Sequence, residues 1–299
     1  MVAKQRKPLI VIVGPTATGK SDLSIRLAKK ISGEIVSADS WVVRQEVNIG
    51  TAKPSPSDLK ALPHHMINII KPCEYYSAAI YKEDANKAIQ DIFERGKTPV
   101  LVGGTGLYID SVIYDYSFLP SPSIEQRARL SSMSIKQLLD IAYQNSIDLT
   151  KIDQRNKRRI IRAIETDGAV PDKKSLREDT LVIGLGLEKD KLLERIESRV
   201  DRMLEDGLEK EVKQLSERYS WDCEALKGIG YHEWKEYFQS NQSLEDTRAR
   251  IIKDTLALAK RQMTWFKRNK SIHWFDTPVR YSLVEDLITT FLNKTVNKN

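Results

Sequence analysis

Cysteine is scarce in this chain, which has Cys73 and Cys223 and no other cysteine among its 299 residues. Two cysteines far apart in the sequence are too few for a structural zinc cluster or a disulfide framework. We therefore expect neither.

Long apolar runs are also absent, and no stretch approaches the roughly 20 residues that span a bilayer. The basic segment 1–7 precedes an apolar run of only strand length, Leu9–Val13, so a secretory signal is not expected. These absences favour a cytoplasmic protein without membrane segments.

Acidic residues are outnumbered by basic ones, 41 against 48, and the formal net charge is +7. Hydrophobic residues make up 40% and charged residues 30%, which is ordinary for a globular protein. The length suits one large α/β domain or a core with an inserted domain. A positive charge permits a polyanionic partner without requiring one.

The most informative motif is G-x-x-x-x-G-K-[ST], directly after the apolar run 9–13. It reads Gly14-Pro15-Thr16-Ala17-Thr18-Gly19-Lys20-Ser21. Such loops wrap a diphosphate with backbone N–H groups at a helix N-terminus. Lys20 would reach the outer phosphate, and the Ser21 hydroxyl would ligate Mg²⁺. A chance turn is the alternative, but the flanking strand and helix patterns argue against it.

Short apolar runs alternate with helical periodicity along most of the chain. Strands are predicted at 9–13, 34–37, 98–102, 181–187 and 272–275. Helices are predicted at 19–31, 77–95, 124–144, 154–166, 189–217 and 243–268. This alternation predicts a parallel α/β sheet flanked by helices and containing the phosphate loop.

Residues 116–179 interrupt that alternation with helical segments and no convincing strand. We interpret them as an inserted all-helical domain. The α/β core then comprises residues 1–115 and 180–299, the second part being mostly helical.

Two further segments follow predicted strands. Asp39 follows the second strand, where a carboxylate could accept a proton or bind Mg²⁺ through water; a helix cap is the equal alternative. The glycine-rich run 103–108 contains Thr105 and is expected to allow positive φ and close approach to a ligand, with a plain tight turn as the alternative. Adjacent His64 and His65 cannot both face one metal, so a structural role is favoured there.

An arginine stripe on the predicted helix 154–166 suggests anion binding. Its members are Arg155, Arg158, Arg159 and Arg162. A solvated face usually mixes charge signs, so we favour contact with a nucleic acid backbone. A second basic stretch, 259–268, ends the last long predicted helix. Complementation of the helix dipole at a C-terminus is the alternative explanation there, and its effect is modest.

Taken together, these segments resemble the bacterial tRNA dimethylallyltransferases, also called tRNA isopentenyltransferases. The resemblance covers roughly 14–275. The matching segments are 14–21, 37–40, 48–54, 63–65, 76–79, 103–108, 158–165, 228–231 and 259–266.

The resemblance implies transfer of a dimethylallyl group from dimethylallyl diphosphate to N6 of adenine-37 in tRNA, with Mg²⁺ as cofactor. It implies catalytic roles for Asp39, Lys20 and Thr105, with Asp39 as general base. Contacts with the tRNA anticodon stem-loop are implied for Asp39, Ser40, Trp41, Val42, Thr105, Arg127, Arg158, Arg159, Ile160, Ile161 and Arg162. A monomer is expected.

Three alternatives stay open at this point. An adenylate isopentenyltransferase would use a free nucleotide, which would leave the arginine stripe unexplained. A P-loop kinase or ATPase of small metabolites would need a nucleotide site for which the sequence has no clear signature. A non-catalytic RNA-binding protein would have no need for Lys20 and Asp39.

Overall fold

The core is a six-stranded parallel sheet in the order β3-β2-β4-β1-β5-β6. We describe it from a computed structural model that covers residues 7–119, 123–150 and 152–296. The strands are β1 (Leu9–Val13), β2 (Gly33–Ser37), β3 (His64–His65), β4 (Thr98–Gly103), β5 (Thr180–Gly186) and β6 (Ile272–Asp276).

Strand β1 lies at the centre of the sheet, and all five of its residues are buried. Val11 pairs in register with Leu101 of β4 on one side and with Val182 of β5 on the other. Unbroken apolar strands are expected where both faces of a parallel sheet are covered by helices. The predicted parallel α/β sheet is confirmed; β3, with two residues, was too short to be found from its pattern.

Twelve α-helices occur in the described part of the chain. They are α1 (Lys20–Lys30), α2 (Pro56–Ala61), α3 (Ala78–Glu94), α4 (Gly106–Ile113), α5 (Ile124–Ser132), α6 (Ile135–Gln144), α7 (Lys157–Glu165), α8 (Lys189–Glu205), α9 (Leu208–Arg218), α10 (Trp234–Phe238), α11 (Leu244–Phe266) and α12 (Tyr281–Val296). A 3₁₀ helix spans Glu224–Lys227. None of these helices is long and apolar enough to cross a membrane.

Two of the predicted long helices are each divided in two. The predicted helix 124–144 breaks before Ser134, which caps α6 through a reciprocal capping box with Gln137. The predicted helix 189–217 breaks at Gly207, whose left-handed φ of 95° ends α8 and starts α9. Apolar residues recur at helical spacing on both sides of each break, so periodicity alone does not mark either one.

The chain divides into two compact units: residues 1–113 with 176–299, and residues 114–175. The second unit holds α5, α6 and α7 around a small core of Leu130, Leu138, Ile160 and Ile161. The sequence-based bounds for this insertion were 116–179.

Cys73 and Cys223 form a disulfide with a Cα–Cα distance of 4.8 Å. The sequence analysis expected no disulfide framework, and it did not predict this single link. The fold brings the loop after Ile70, which contains Cys73, alongside the 3₁₀ helix that follows Cys223. There the Ala225 N–H donates to the Pro72 carbonyl at 3.2 Å. Sequence separation gave no sign of this contact.

Candidate phosphate-binding and transfer site

The phosphate loop connects β1 to α1, and the backbone geometry at two positions, 14 and 19, requires glycine. Gly14 has a φ of 148°, and a Cβ on it would lie 2.5 Å from the Leu185 carbonyl oxygen. Gly19 is the N-cap of α1, with a left-handed φ of 86°. The loop therefore turns tightly onto a helix N-terminus, where backbone N–H groups and the helix dipole favour an anion.

Side chains hold this loop in shape. The Thr18 hydroxyl and the Lys20 ammonium both donate to the Pro15 carbonyl, at 2.9 and 2.5 Å. The Thr16 N–H donates to the Gln262 side-chain oxygen from α11 at 2.9 Å. Because the loop is fixed from two sides, it is preorganised for its ligand.

Two arginines from α8 also reach the loop, and the sequence reasoning missed both. Arg199 donates to the Thr16 hydroxyl at 3.1 Å, and Arg195 donates to the Ala17 carbonyl at 3.4 Å. Their i, i+4 spacing places both on one face of α8. That spacing was readable in the sequence, but nothing marked this face as the one near the phosphate loop.

Two cations, Lys20 and Arg199, have lowered pKa values at this site. Burial lowers the pKa of Lys20 to about 7; repulsion from Arg199 contributes, and Asp39 acts in the opposite direction. Burial also lowers the pKa of Arg199. A bound polyanion would stabilise both cations, which is the electrostatic signature of a phosphate site.

Asp39 and Thr105 follow the carboxyl ends of β2 and β4, which are neighbours in the sheet. Asp39 Oδ1 accepts the Trp41 and Val42 N–H groups at 2.8 and 3.3 Å. The Thr105 hydroxyl accepts the Ser40 N–H at 3.1 Å. The structure thus brings these residues together, and Asp39 orders a turn rather than capping a helix.

The glycines at the end of β4 and directly after it serve close packing rather than positive φ. A Cβ on Gly103 would lie 2.1 Å from the Ala38 carbonyl oxygen, and one on Gly104 would lie 2.3 Å from the Gln262 amide. Neither has positive φ, so the expectation of left-handed glycines in this run is wrong. Their small size lets the Asp39 turn and α11 approach the strand end.

A cavity of about 90 Å³ opens beside these groups. Its polar lining includes Thr16, Asp39, Arg199 and Gln262. Its apolar lining consists of Trp41, Ile196, Val200, Met203, Ile229, Ile251 and Leu258. A site with an anion cradle, a carboxylate and an apolar chamber suits a ligand with a charged head and a hydrocarbon group.

The two adjacent histidines have structural partners. His64 Nδ1 lies 2.8 Å from the Leu62 carbonyl, and His65 Nε2 lies 2.7 Å from Glu34 Oε2. Glu34 also accepts two hydrogen bonds from Arg95. This network fastens β3 to β2, as the structural interpretation of the pair predicts.

In the second unit, the arginine stripe is shorter than predicted. Helix α7 begins at Lys157 with Asn156 as its N-cap, so Arg155 precedes the helix and pairs with Asp153 at 3.0 Å. Arg158 and Arg159 are exposed. The side chains of Ile160 and Ile161 lie in the unit's core, because α7 is amphipathic, and they offer no surface to RNA in this conformation.

Arg127 and Arg162 converge on one carboxylate. Arg127 donates twice to Glu165, and Arg162 donates to Glu165 at 3.4 Å and to the Leu119 carbonyl at 2.9 Å. The Glu165 side chain is buried. These contacts fix α5 against α7, so both arginines have a structural role whatever else they bind.

A family model described as "IPP transferase" matches residues 43–269. The tRNA dimethylallyltransferase of Bacillus cytotoxicus is 38% identical over 291 residues, which is 92% of each chain. The full-length tRNA isopentenylpyrophosphate transferase of Bacillus halodurans superposes with a TM-score of 0.77 at 34% identity, covering 98% of this chain and 99% of that one. A eukaryotic dimethylallyltransferase described as acting on tRNA superposes with a TM-score of 0.78 at 29% identity, covering 91% of this chain and 74% of that one.

Proposed function

Because the chain belongs to the IPP transferase family, we propose that it is a tRNA dimethylallyltransferase. It transfers a dimethylallyl group from dimethylallyl diphosphate to N6 of adenine-37 in tRNA, giving N6-(dimethylallyl)adenosine and diphosphate. The observation that carries this proposal is the apolar cavity lined at one side by Thr16, Arg199 and Asp39.

The diphosphate binds the loop 14–21, with Lys20 and Arg199 as its cationic partners. As the allylic C–O bond breaks, negative charge grows on the departing diphosphate. Fixed N–H dipoles and these two cations stabilise that charge without reorganisation. The lowered pKa of Lys20 supports this role, because a phosphate ligand restores its charge.

Asp39 takes a proton from the adenine amine as the new C–N bond forms. Two backbone N–H groups hold its Oδ1, so the carboxylate has a fixed direction at the cavity wall. The turn that Asp39 orders is joined to Thr105 through Ser40, which gives Thr105 a role in positioning the base. The target adenine must leave its stack to reach this cleft.

Mg²⁺ would be held by the Ser21 hydroxyl, together with phosphate oxygens of the donor. Ser21 is exposed at the first turn of α1, and Mg²⁺ typically uses few protein ligands and keeps several waters. When bound, the ion would neutralise phosphate charge. The donor set present therefore fits this cofactor.

Exposed Arg158 and Arg159 on α7 support tRNA rather than a free nucleotide as the acceptor. A free nucleotide has too few phosphates to occupy an arginine surface, whereas a stem-loop has a continuous backbone. The apolar cavity disfavours a small-metabolite kinase, because a nucleoside triphosphate has no hydrocarbon group to place there. We further propose a cytoplasmic monomer.

A salt titration tests the acceptor assignment. Replacing Arg158 and Arg159 with Ala should weaken tRNA binding and flatten the plot of log affinity against log salt by about one to two units. Replacing Lys213 and Lys294, exposed lysines on α9 and α12, with Ala is the charge-matched control. Equal slopes for the two double variants would mean that Arg158 and Arg159 form an ordinary solvated face. Equally fast prenylation of AMP would move the function to free-nucleotide prenylation.

A further inference from the structure

The cavity beside the phosphate loop is polar on one side and apolar on the other. Thr16, Arg199 and Gln262 line it where the loop is held, and Asp39 joins them. The rest of the wall is aliphatic apart from Trp41, Thr51, Thr255 and glycine. A bound donor therefore has one orientation, with its diphosphate at the loop and its hydrocarbon chain directed away from it.

Helix α8 forms part of the cavity wall, and its lining residues lie at successive positions along the helix axis. Ile196, Arg199, Val200 and Met203 face the cavity at the i, i+3, i+4 and i+7 spacing of one helix face. Arg195 and Arg199 contact the loop. Met203 lies one turn beyond Arg199, or about 6 Å further along the axis, so it stands at the end of this face away from the loop contacts.

Helix α11 also has its loop contact at one end of the wall and apolar lining residues further along the helix, but its sequence runs in the opposite direction to that of α8. Gln262 touches Thr16, and Leu258 and then Ile251 line the cavity at increasing distance from it along the helix. Arg248 of α11 forms an ion pair with Asp201 of α8 at 2.6 Å, which ties the two helices together near Met203. The two helices are therefore held together at this end of the cavity wall.

Space in the cavity is limited. Its volume of about 90 Å³ lies below the roughly 300–1,000 Å³ of typical small-molecule sites, which favours a short hydrocarbon group over a longer one. Met203 is 8% exposed and packs in the cluster between α8, α9 and α11, so its long side chain occupies volume at this end of the cavity wall.

We infer that Met203 sets the length of the prenyl donor, restricting the enzyme to five-carbon dimethylallyl diphosphate and excluding ten-carbon geranyl diphosphate. This inference rests on the proposed function, because it assigns the cavity to the donor's hydrocarbon group. Methionine suits this position because an unbranched thioether fills an irregular space closely.

The test compares wild type, Met203→Ala and Ile252→Ala with dimethylallyl and geranyl diphosphate, using unmodified tRNA as acceptor. Ile252 is the matched control: it has the same 8% exposure and belongs to the same cluster, but it does not line the cavity. One methylene in an apolar pocket changes kcat/KM by about 10- to 200-fold. Met203→Ala should therefore raise the geranyl-to-dimethylallyl ratio of kcat/KM by at least tenfold, and Ile252→Ala should leave the ratio unchanged.

Each outcome is decisive. If wild type uses dimethylallyl diphosphate but Met203→Ala does not gain geranyl transfer, the length assignment is overturned. If Ile252→Ala gains as much as Met203→Ala, the effect is general loosening and the assignment fails too. Met203→Phe, which narrows the cavity, should lower dimethylallyl kcat/KM, and an unchanged value would also contradict the assignment. Wild type that transfers neither group refutes the proposed function instead.

Discussion

Arg199 provides the sharpest test of how the donor is held, because only the structure reveals it. Its guanidinium contacts Thr16 in the phosphate loop, and it lowers the pKa of Lys20 by repulsion. Replacing Arg199 with Ala removes one cation from the proposed diphosphate site and leaves the loop glycines and Lys20 in place.

The expected loss follows from two opposing effects. A hydrogen bond to a charged group contributes about 1.5–3 kcal/mol, which corresponds to roughly 10- to 150-fold in donor affinity at about 1.4 kcal/mol per tenfold. Removing Arg199 also relieves Lys20, whose pKa then rises and whose charge is better retained. Because Lys20 compensates in part, we expect the lower half of that range, about 10- to 40-fold.

The assay is steady-state prenylation of tRNA with dimethylallyl diphosphate varied, at fixed ionic strength. The matched control is Arg202→Ala, since Arg202 lies on the same helix but is exposed and donates only weakly, to the Ser198 carbonyl at 3.4 Å. Arg199→Ala should raise the donor KM and leave the tRNA KM unchanged. Equal donor KM values for the two variants would refute the role of Arg199 at the diphosphate.

Three further predictions concern the base, the sheet edge and the disulfide. Asp39→Asn should lower kcat by about 10²–10⁴-fold with donor binding nearly intact, as for loss of a general base; near wild-type turnover would leave Asp39 with only its turn-forming role. Hydrogen bonds from Arg95 and then His65 hold the pKa of Glu34 below its usual value. The stabilisation is therefore present above the unfolded pKa of about 4.3 and is lost as pH falls through the folded pKa. Glu34→Gln should therefore reduce the fall of the melting temperature with decreasing pH, and an unchanged fall would contradict this prediction. Non-reducing peptide mapping of oxidised protein should recover Cys73 linked to Cys223, whose closure of a long loop contributes up to about 5 kcal/mol; two free thiols would refute the link.

The sheet and the phosphate loop could be predicted because both depend on local signals. An apolar run of strand length that ends at a glycine, such as Leu9–Val13, indicates a strand buried on both faces of a parallel sheet. The glycines of the loop mark backbone positions that other residues rarely adopt. Asp39 was found for a related reason, because residues after parallel strands meet at one edge of the sheet.

The cavity that we propose for the donor could not be predicted in this way. Arg199 and Met203 lie on α8, and Gln262 lies on α11, both far along the chain from the loop that they serve. Their relation to Thr16 depends on how two helices pack, which no local pattern encodes. The same holds for Cys73 and Cys223. The burial of Ile160 and Ile161, by contrast, follows from the amphipathic pattern of α7, although the family resemblance had assigned them to tRNA contact.

The most direct test of the central claim is the product of one defined reaction. An unmodified anticodon stem-loop with adenine at position 37 is incubated with the protein, Mg²⁺ and dimethylallyl diphosphate; a stem-loop with guanine at that position is the control. We predict one N6-dimethylallyl adenosine per diphosphate released, found by nuclease digestion and mass spectrometry only in the adenine-37 substrate. Diphosphate release without a prenylated base, or prenylation that does not depend on adenine-37, would contradict the account.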